Sequence, residues 1–443
     1  MTTDEEFGNE LLSNLIKQAE TLQSSISKLP KDVPYPSRAR PQLISFLEQI
    51  NAAIIQRLHE LRTGPPKPSY TTIETPAKRL GQVLTQLFEL LEFIVHSEAH
   101  RIPAPLIPPF EAMVRKYFSD ALLLVRYIWQ YNFINYVDIG DVLKSLSYSG
   151  LNLPTPPPEH FIVIGFPTTE RENVLLHCAF AHELGHFLTQ EKQLDRGIPV
   201  NFDPALYQAL LSQNKAQLLL DVTYRWYLEV LSDVFGIYLL GPASFLAFSE
   251  ISLQMLHTPS FSHPPPHLRL TWMLKLLRRL SYLDQKDQSG NVTSPGRLDP
   301  QSKAHFEKWD VFLSTNPLPR LDPLYECVMK CVLQAMDDIQ RAVEAVIANN
   351  GYTAQQFETE VGPLVERILR LVPPSEGDSV PNPSFESIMN TGWVVRTTRL
   401  SDLHDVLSAS EQDEQANVYK TLNALLYKAV EYLIIKKVWE KPA

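Results

Sequence analysis

Residues His182, Glu183 and His186 form the pattern His-Glu-x-x-His. On a helix, positions i and i+4 lie on one face, one turn apart, so both imidazoles can bind a single ion. Glu183 follows the first histidine directly, and its carboxylate can reach a water bound to that ion. The pattern predicts a metal site with hydrolytic chemistry. The alternative is two surface or capping histidines on an ordinary helix.

A third ligand is available at Glu229. Glu229 and Asp233 are again four residues apart, on a stretch that is otherwise apolar. Two acidic groups on an apolar face need compensation, and a metal ion would supply it for Glu229. Asp233, one turn further along, could accept the outer N–H of a metal-bound imidazole and fix its tautomer. The alternative is a solvated acidic face, which the apolar neighbours Val230, Leu231, Val234 and Phe235 disfavour.

These blocks resemble a known family. His182-Glu-x-x-His186 followed by Glu229-x-x-Ser-Asp233 resembles the gluzincin metallopeptidases and is similar to the thermolysin pattern. The loop Ser-His263-Pro-Pro-Pro-His-Leu-Arg269 resembles the His-Pro-Pro…Arg element of the membrane-bound CAAX-type and heat-shock zinc endopeptidases. The resemblance implies Zn²⁺ as cofactor, with His263 or Arg269 stabilising the oxyanion. The alternative for this loop is a proline-rich start of a helix with incidental histidines.

The resemblance covers about residues 160–283, and two features depart from it. The membrane-bound members have transmembrane helices, whereas the most apolar long stretch here, residues 228–256, is interrupted by Glu229, Asp233 and Glu250. Residues 187–228 form an insertion relative to thermolysin, so the wall of the cleft is expected to differ.

Composition narrows the possible partners and location. The 443-residue chain has a net charge of -10 and no dense Lys/Arg run, which disfavours nucleic acid as a partner. Its three cysteines, Cys178, Cys327 and Cys331, are expected to be buried thiols and do not form a disulfide framework. The acidic N-terminus does not resemble a secretory signal. We therefore expect a cytoplasmic protein without a transmembrane segment.

The hydrophobic periodicity predicts a mainly α, multi-helix protein. The resemblance implies a zincin-like core in which a metal helix packs with a glutamate helix over residues 216–240. We expect at most a small β-sheet beside the helices. We expect a strand at residues 160–167 and a capping box, Thr169-x-x-Glu172, that starts the metal helix. Residues 108–133 are predicted to be one helix and residues 373–398 a loop. The predicted domains are an N-terminal helical domain (1–150), the metal-binding catalytic core (151–283) and a C-terminal helical region (284–443).

The sequence thus predicts a zinc-dependent metallopeptidase with a peptide or protein substrate. His182, His186 and Glu229 would bind the metal, and Glu183 would be the general base. The N-terminal helices could recruit a protein partner. Two alternatives stay open: a helical interaction protein with a structural or vestigial zinc site, and a zinc hydrolase of non-peptide amides.

Overall fold

The fold is mainly α, as predicted. The computed structural model describes residues 3–29, 39–65, 67–96, 104–128, 134–135, 160–287, 289–375, 380–410 and 418–439. These residues form fifteen α-helices and two small sheets. They include no helix with the length and apolar character needed to cross a membrane. The chain divides into two compact units, Met1–Arg171 and Glu172–Ala443. The three-domain division stays a prediction.

The first unit combines a helical bundle with a small sheet. Its helices are α1 Thr3–Ser27, α2 Ala39–Thr63, α3 Tyr70–His96 and α4 Ile107–Arg115. Its strands are β1 Leu122–Ile128, β2 Ile134–Asn135 and β3 Phe161–Pro167, in the order β1-β3-β2. Apolar residues at helical spacing, such as Leu12, Ile16 and Ala19 on α1, form the core between the helices.

The prediction of one helix over residues 108–133 is wrong. Helix α4 ends at Arg115, and the apolar run Leu122–Ile128 forms a strand that pairs in parallel with β3 along its whole length. A short apolar run fits a helix or a buried strand equally well, and here the partner strand decides. The strand predicted at residues 160–167 is confirmed, because Phe161–Pro167 form β3, and all seven residues of β3 are buried. The sequence also predicts a loop between residues 138 and 160, of which residues 138–159 lie outside the described part of the chain.

The second unit contains the motif residues and eleven helices among its described residues. These are α5 Phe180–Glu191, α6 Pro204–Leu211, α7 Ala216–Leu240, α8 Pro242–Ser252, α9 Pro266–Arg279, α10 Pro300–Thr315, α11 Pro323–Ile347, α12 Ala354–Ile368, α13 Phe385–Thr398, α14 Leu400–Ser410 and α15 Val418–Trp439. A two-stranded sheet pairs β4 Gln285–Lys286 with β5 Val292–Ser294. Most of α7 is buried, which makes it the central helix of this unit.

The metal helix does not start at the predicted capping box. Thr169 lies in a short 3-10 turn, and a second 3-10 segment, Val174–Ala179, leads into α5. The residue before α5, Ala179, makes no side-chain capping bond. Burial of Val174, Leu175, Leu176 and Cys178 takes the place of a cap in fixing this segment.

The predicted loop at 373–398 is wrong over its second half. Residues 385–398 form the buried helix α13, which begins at the N-cap Ser384. Asn390 of this helix donates to the carbonyl of Leu240 and accepts from the N–H of Ala243. Helix α13 therefore supports the junction where α7 ends and α8 begins. Its polar and β-branched residues conceal a helix that tertiary burial stabilises.

Candidate metal centre

Helices α5 and α7 bring three predicted ligands together. His182 Nε2 and His186 Nε2 are 3.1 Å apart, as their i, i+4 spacing on α5 requires. Glu229 of α7 reaches both, with Oε2 at 3.4 Å from His182 Nε2 and Oε1 at 3.4 Å from His186 Nε2. The ligand atoms of these three residues all lie within 4.8 Å of one another, so the group can hold a metal ion.

The spacing of the donor atoms fits a tetrahedral ion. Bonds of about 2.0–2.1 Å at tetrahedral angles put neighbouring donor atoms roughly 3.3–3.4 Å apart. The two histidine nitrogens, 3.1 Å apart, are close to that value. Each lies 3.4 Å from a different oxygen of Glu229, Oε2 for His182 and Oε1 for His186, so the carboxylate faces both imidazoles.

A glycine allows α5 and α7 to approach closely enough for this geometry. A Cβ at Gly185 would be 2.8 Å from Ser232 Cα and 2.9 Å from the Ser232 carbonyl oxygen, both backbone atoms. Any side chain here would push the helices apart. Gly185 lies between the two histidines, and Ser232 lies between Glu229 and Asp233. The backbone contact thus sits directly beneath the ligands.

Asp233 and Arg269 hold the ligands from the buried side. Asp233 Oδ1 is 3.0 Å from His182 Nδ1, the contact expected of a carboxylate that orients a ligand imidazole. Arg269, only 5% exposed, donates two hydrogen bonds of 2.7 Å to Asp233. Its third nitrogen lies 3.0 Å from Glu229 Oε2, and its guanidinium stacks on Phe248. Arg269 therefore positions Glu229 directly and His182 through Asp233.

The charges of this cluster favour a bound cation. Burial works against the charge of His182, but hydrogen bonds to Asp233 and Glu229 outweigh it and raise its pKa to about 10. Burial likewise opposes ionisation of Glu229, yet His186 and Arg269 hold its pKa well below the usual range. Burial also opposes the charge of Arg269, whose pKa Asp233, Glu229 and Glu183 nevertheless raise. Without metal, a proton on His182 partly offsets the carboxylates.

Three carboxylates and one guanidinium are buried around this position. Glu183, Glu229 and Asp233 are all buried, and so is Arg269. A bound cation would add to the compensation that Arg269 already gives to Asp233 and Glu229.

His263 lies on the open side of the centre. Its side chain is 55% exposed, and its Nε2 is 3.4 Å from Glu229 Oε1. The Ser262 hydroxyl lies 2.7 Å from His263 Nδ1 and orients the ring. Among the described residues, the group that can hold a metal ion is His182, His186 and Glu229, and His263 is not part of it. It therefore borders the site at the face that solvent reaches.

Two features of the centre, the role of Gly185 and the contacts of Arg269, are not evident from the sequence. Gly185 was visible inside the motif, but its role depends on which residue of α7 crosses it. The contacts of Arg269 with two carboxylates were equally hidden, since 36 residues separate it from Asp233.

The three cysteines are free and buried, as predicted. Comparison of the chain with protein-family models, with curated proteins and with solved structures finds no match.

Proposed function

We propose that this protein is a zinc-dependent peptidase. The observation that carries the proposal is the convergence of His182, His186 and Glu229 around one point, with Glu183 between the two histidines on the same helix. The resemblance of these residues to the gluzincin pattern adds the reaction class, hydrolysis of a peptide bond. The substrate would be a peptide or a protein, and the location expected from the sequence is the cytoplasm.

Zinc is the metal that this donor set fits best. Two imidazoles and one carboxylate are typical of catalytic zinc sites, which keep a further position for water or substrate. Structural zinc sites usually close with four protein ligands and use more thiolates. Here the accessible side is bordered by the exposed His263, and the free cysteines are not part of the ligand group.

Glu183 would move the protons of the reaction. Zinc, when bound at this centre, supplies Lewis acidity and lowers the pKa of water. The Glu183 carboxylate would accept the proton of the attacking water and pass it to the leaving amine. Its burial keeps competing solvent away, and the positive charge of Arg269 is near enough to interact favourably with the carboxylate.

His263 is the better candidate for oxyanion stabilisation. Both His263 and Arg269 were sequence candidates. Arg269 is buried, donates hydrogen bonds to Asp233 and forms an ion pair with Glu229, so it acts as a positioning residue. His263 is exposed and oriented by Ser262, and its Nε2 faces the ligand Glu229. A substrate carbonyl that enters from the open side meets His263 first.

The alternatives use the same site differently. A purely structural zinc site would have no use for the Glu183 carboxylate, which directly follows the first histidine of the motif. A hydrolase of non-peptide amides would use the same residues on another acyl group. A protein partner of the N-terminal helices stays a prediction.

The test compares Glu183→Gln with Glu191→Gln, the same substitution at the end of the same helix. Zinc content and hydrolysis of a peptide library and of N-acyl amides are measured for both and for wild type. We expect one zinc per chain in all three and a loss of peptide hydrolysis of roughly 10²–10⁴-fold in Glu183→Gln alone. Activity on N-acyl amides only would favour the non-peptide alternative. Zinc binding without any hydrolysis would favour the structural alternative.

A further inference from the structure

An exposed cation lies beside the metal centre. Arg225 is four residues before Glu229 on α7, so the two side chains share a helix face, roughly 6 Å apart. Asp233 and Arg269 are one turn away in the opposite direction. Arg225 therefore extends the ligand face of α7 away from the buried end of the site.

The loop that carries His263 holds Arg225 in place. The Arg225 guanidinium carbon lies 4.9 Å from the centroid of the Phe261 ring, which is 39% exposed. The loop is itself anchored, because Trp226 Nε1 donates to the Ser260 carbonyl oxygen and the Ser260 N–H donates to the His263 carbonyl oxygen. Stacking on an aromatic ring leaves the edge of a guanidinium available for hydrogen bonds.

No residue in the described part of the chain accepts a hydrogen bond from Arg225. Within the part of the chain that the structure describes, Arg225 makes no hydrogen bond and no ion pair, and its contact is the ring of Phe261. Arg269 differs, since its donors are used by Asp233 and Glu229. A guanidinium that lies over an aromatic ring, with donors that no described residue uses, is suited to binding a carboxylate through two parallel hydrogen bonds.

We propose that Arg225, fixed by Phe261, binds a carboxylate of the peptide substrate next to the metal centre. This inference rests on the proposed peptidase function and names its substrate class, peptides with a carboxylate close to the scissile bond. The Cβ atoms of Arg225 and Glu229 are roughly 6 Å apart on one helix face, so the bound carboxylate would belong to a residue within a few positions of the scissile bond. The carboxylate can belong to an acidic side chain or to the C-terminus of the substrate.

The test uses peptides that differ by Glu, Gln or Lys at each position around the cleaved bond, with free or amidated C-termini. kcat/KM is measured for zinc-loaded wild type, Arg225→Gln, Arg225→Glu and the control Arg320→Glu, an exposed arginine in the turn before α11. We expect wild type to favour Glu over Gln, or a free over an amidated terminus, by roughly tenfold. The first preference identifies a side-chain carboxylate and the second a terminal one.

Arg225→Gln is expected to remove the preference and Arg225→Glu to reverse it towards Lys, whereas Arg320→Glu keeps it. An equal preference in wild type and Arg225→Gln would overturn the inference but leave the peptidase function intact. If wild type cleaves no peptide, the proposed function fails. The affinity of the same peptides for zinc-loaded Glu183→Gln is then compared with their affinity for the double variant Glu183→Gln/Arg225→Gln. Weaker binding of the carboxylate peptides to the double variant supports the inference, and equal binding overturns it.

Discussion

Substitution of Gly185 by alanine tests whether the contact of α5 with α7 creates the metal centre. The added methyl group would be 2.8 Å from Ser232 Cα, whereas ordinary contacts begin at 3.4 Å. The helices must therefore separate by about 0.6 Å, and metal–ligand bonds tolerate only about 0.2 Å. We expect the variant to lose about 1–3 kcal/mol of unfolding free energy and at least roughly tenfold in zinc affinity.

The matched control is Gly362→Ala on α12. Apart from its chain neighbours and the backbone of α12 itself, no atom lies within 4 Å of a Cβ at Gly362, so alanine there pushes no other helix away. Zinc affinity is measured by competition with a chelator, and stability by urea unfolding of metal-free protein. The reasoning would be refuted if Gly185→Ala and Gly362→Ala bound zinc equally well and were equally stable.

Three further predictions concern the groups behind the ligands. Arg269→Met leaves Asp233 and Glu229 buried without their cation. Urea unfolding of metal-free protein should show a loss of about 3–5 kcal/mol in unfolding free energy, and the loss should be smaller when zinc is added. Equal losses with and without zinc would contradict this prediction. Asp233→Asn should weaken zinc binding about 10–100-fold in the same competition assay. Because the pKa of metal-free His182 is about 10, that residue holds a proton at neutral pH, so zinc affinity should rise with pH between about 7 and 8.5. Calorimetry in buffers of different ionisation enthalpy should detect release of about one proton per ion, and no release would refute this pKa.

The two pairs of candidate residues were predictable because each depends on spacing within a single helix. His182 and His186 share a face by helix geometry alone, and so do Glu229 and Asp233. The apolar neighbours of both pairs indicated burial, which the structure confirms for Glu183, Glu229 and Asp233. Local periodicity thus sufficed for the residues themselves.

The arrangement between helices was not predictable from local pattern. Which residue of α7 crosses Gly185 depends on the packing of the whole second unit, as does the choice of Asp233 and Glu229 as partners of Arg269. The strand at residues 122–128 was missed for the same reason, since its pairing with β3 is a long-range contact. Helix α13 was missed because its propensity is weak and its burial is strong.

X-ray absorption spectroscopy at the zinc edge tests the central claim most directly. The protein is loaded with one equivalent of zinc, alongside His186→Ala and Glu229→Ala. We expect a shell of nitrogen and oxygen at about 2.0–2.2 Å with two imidazoles, and loss of tight binding in both variants. A sulfur shell at about 2.3 Å, or an unchanged spectrum in the variants, would contradict a metal centre formed by His182, His186 and Glu229.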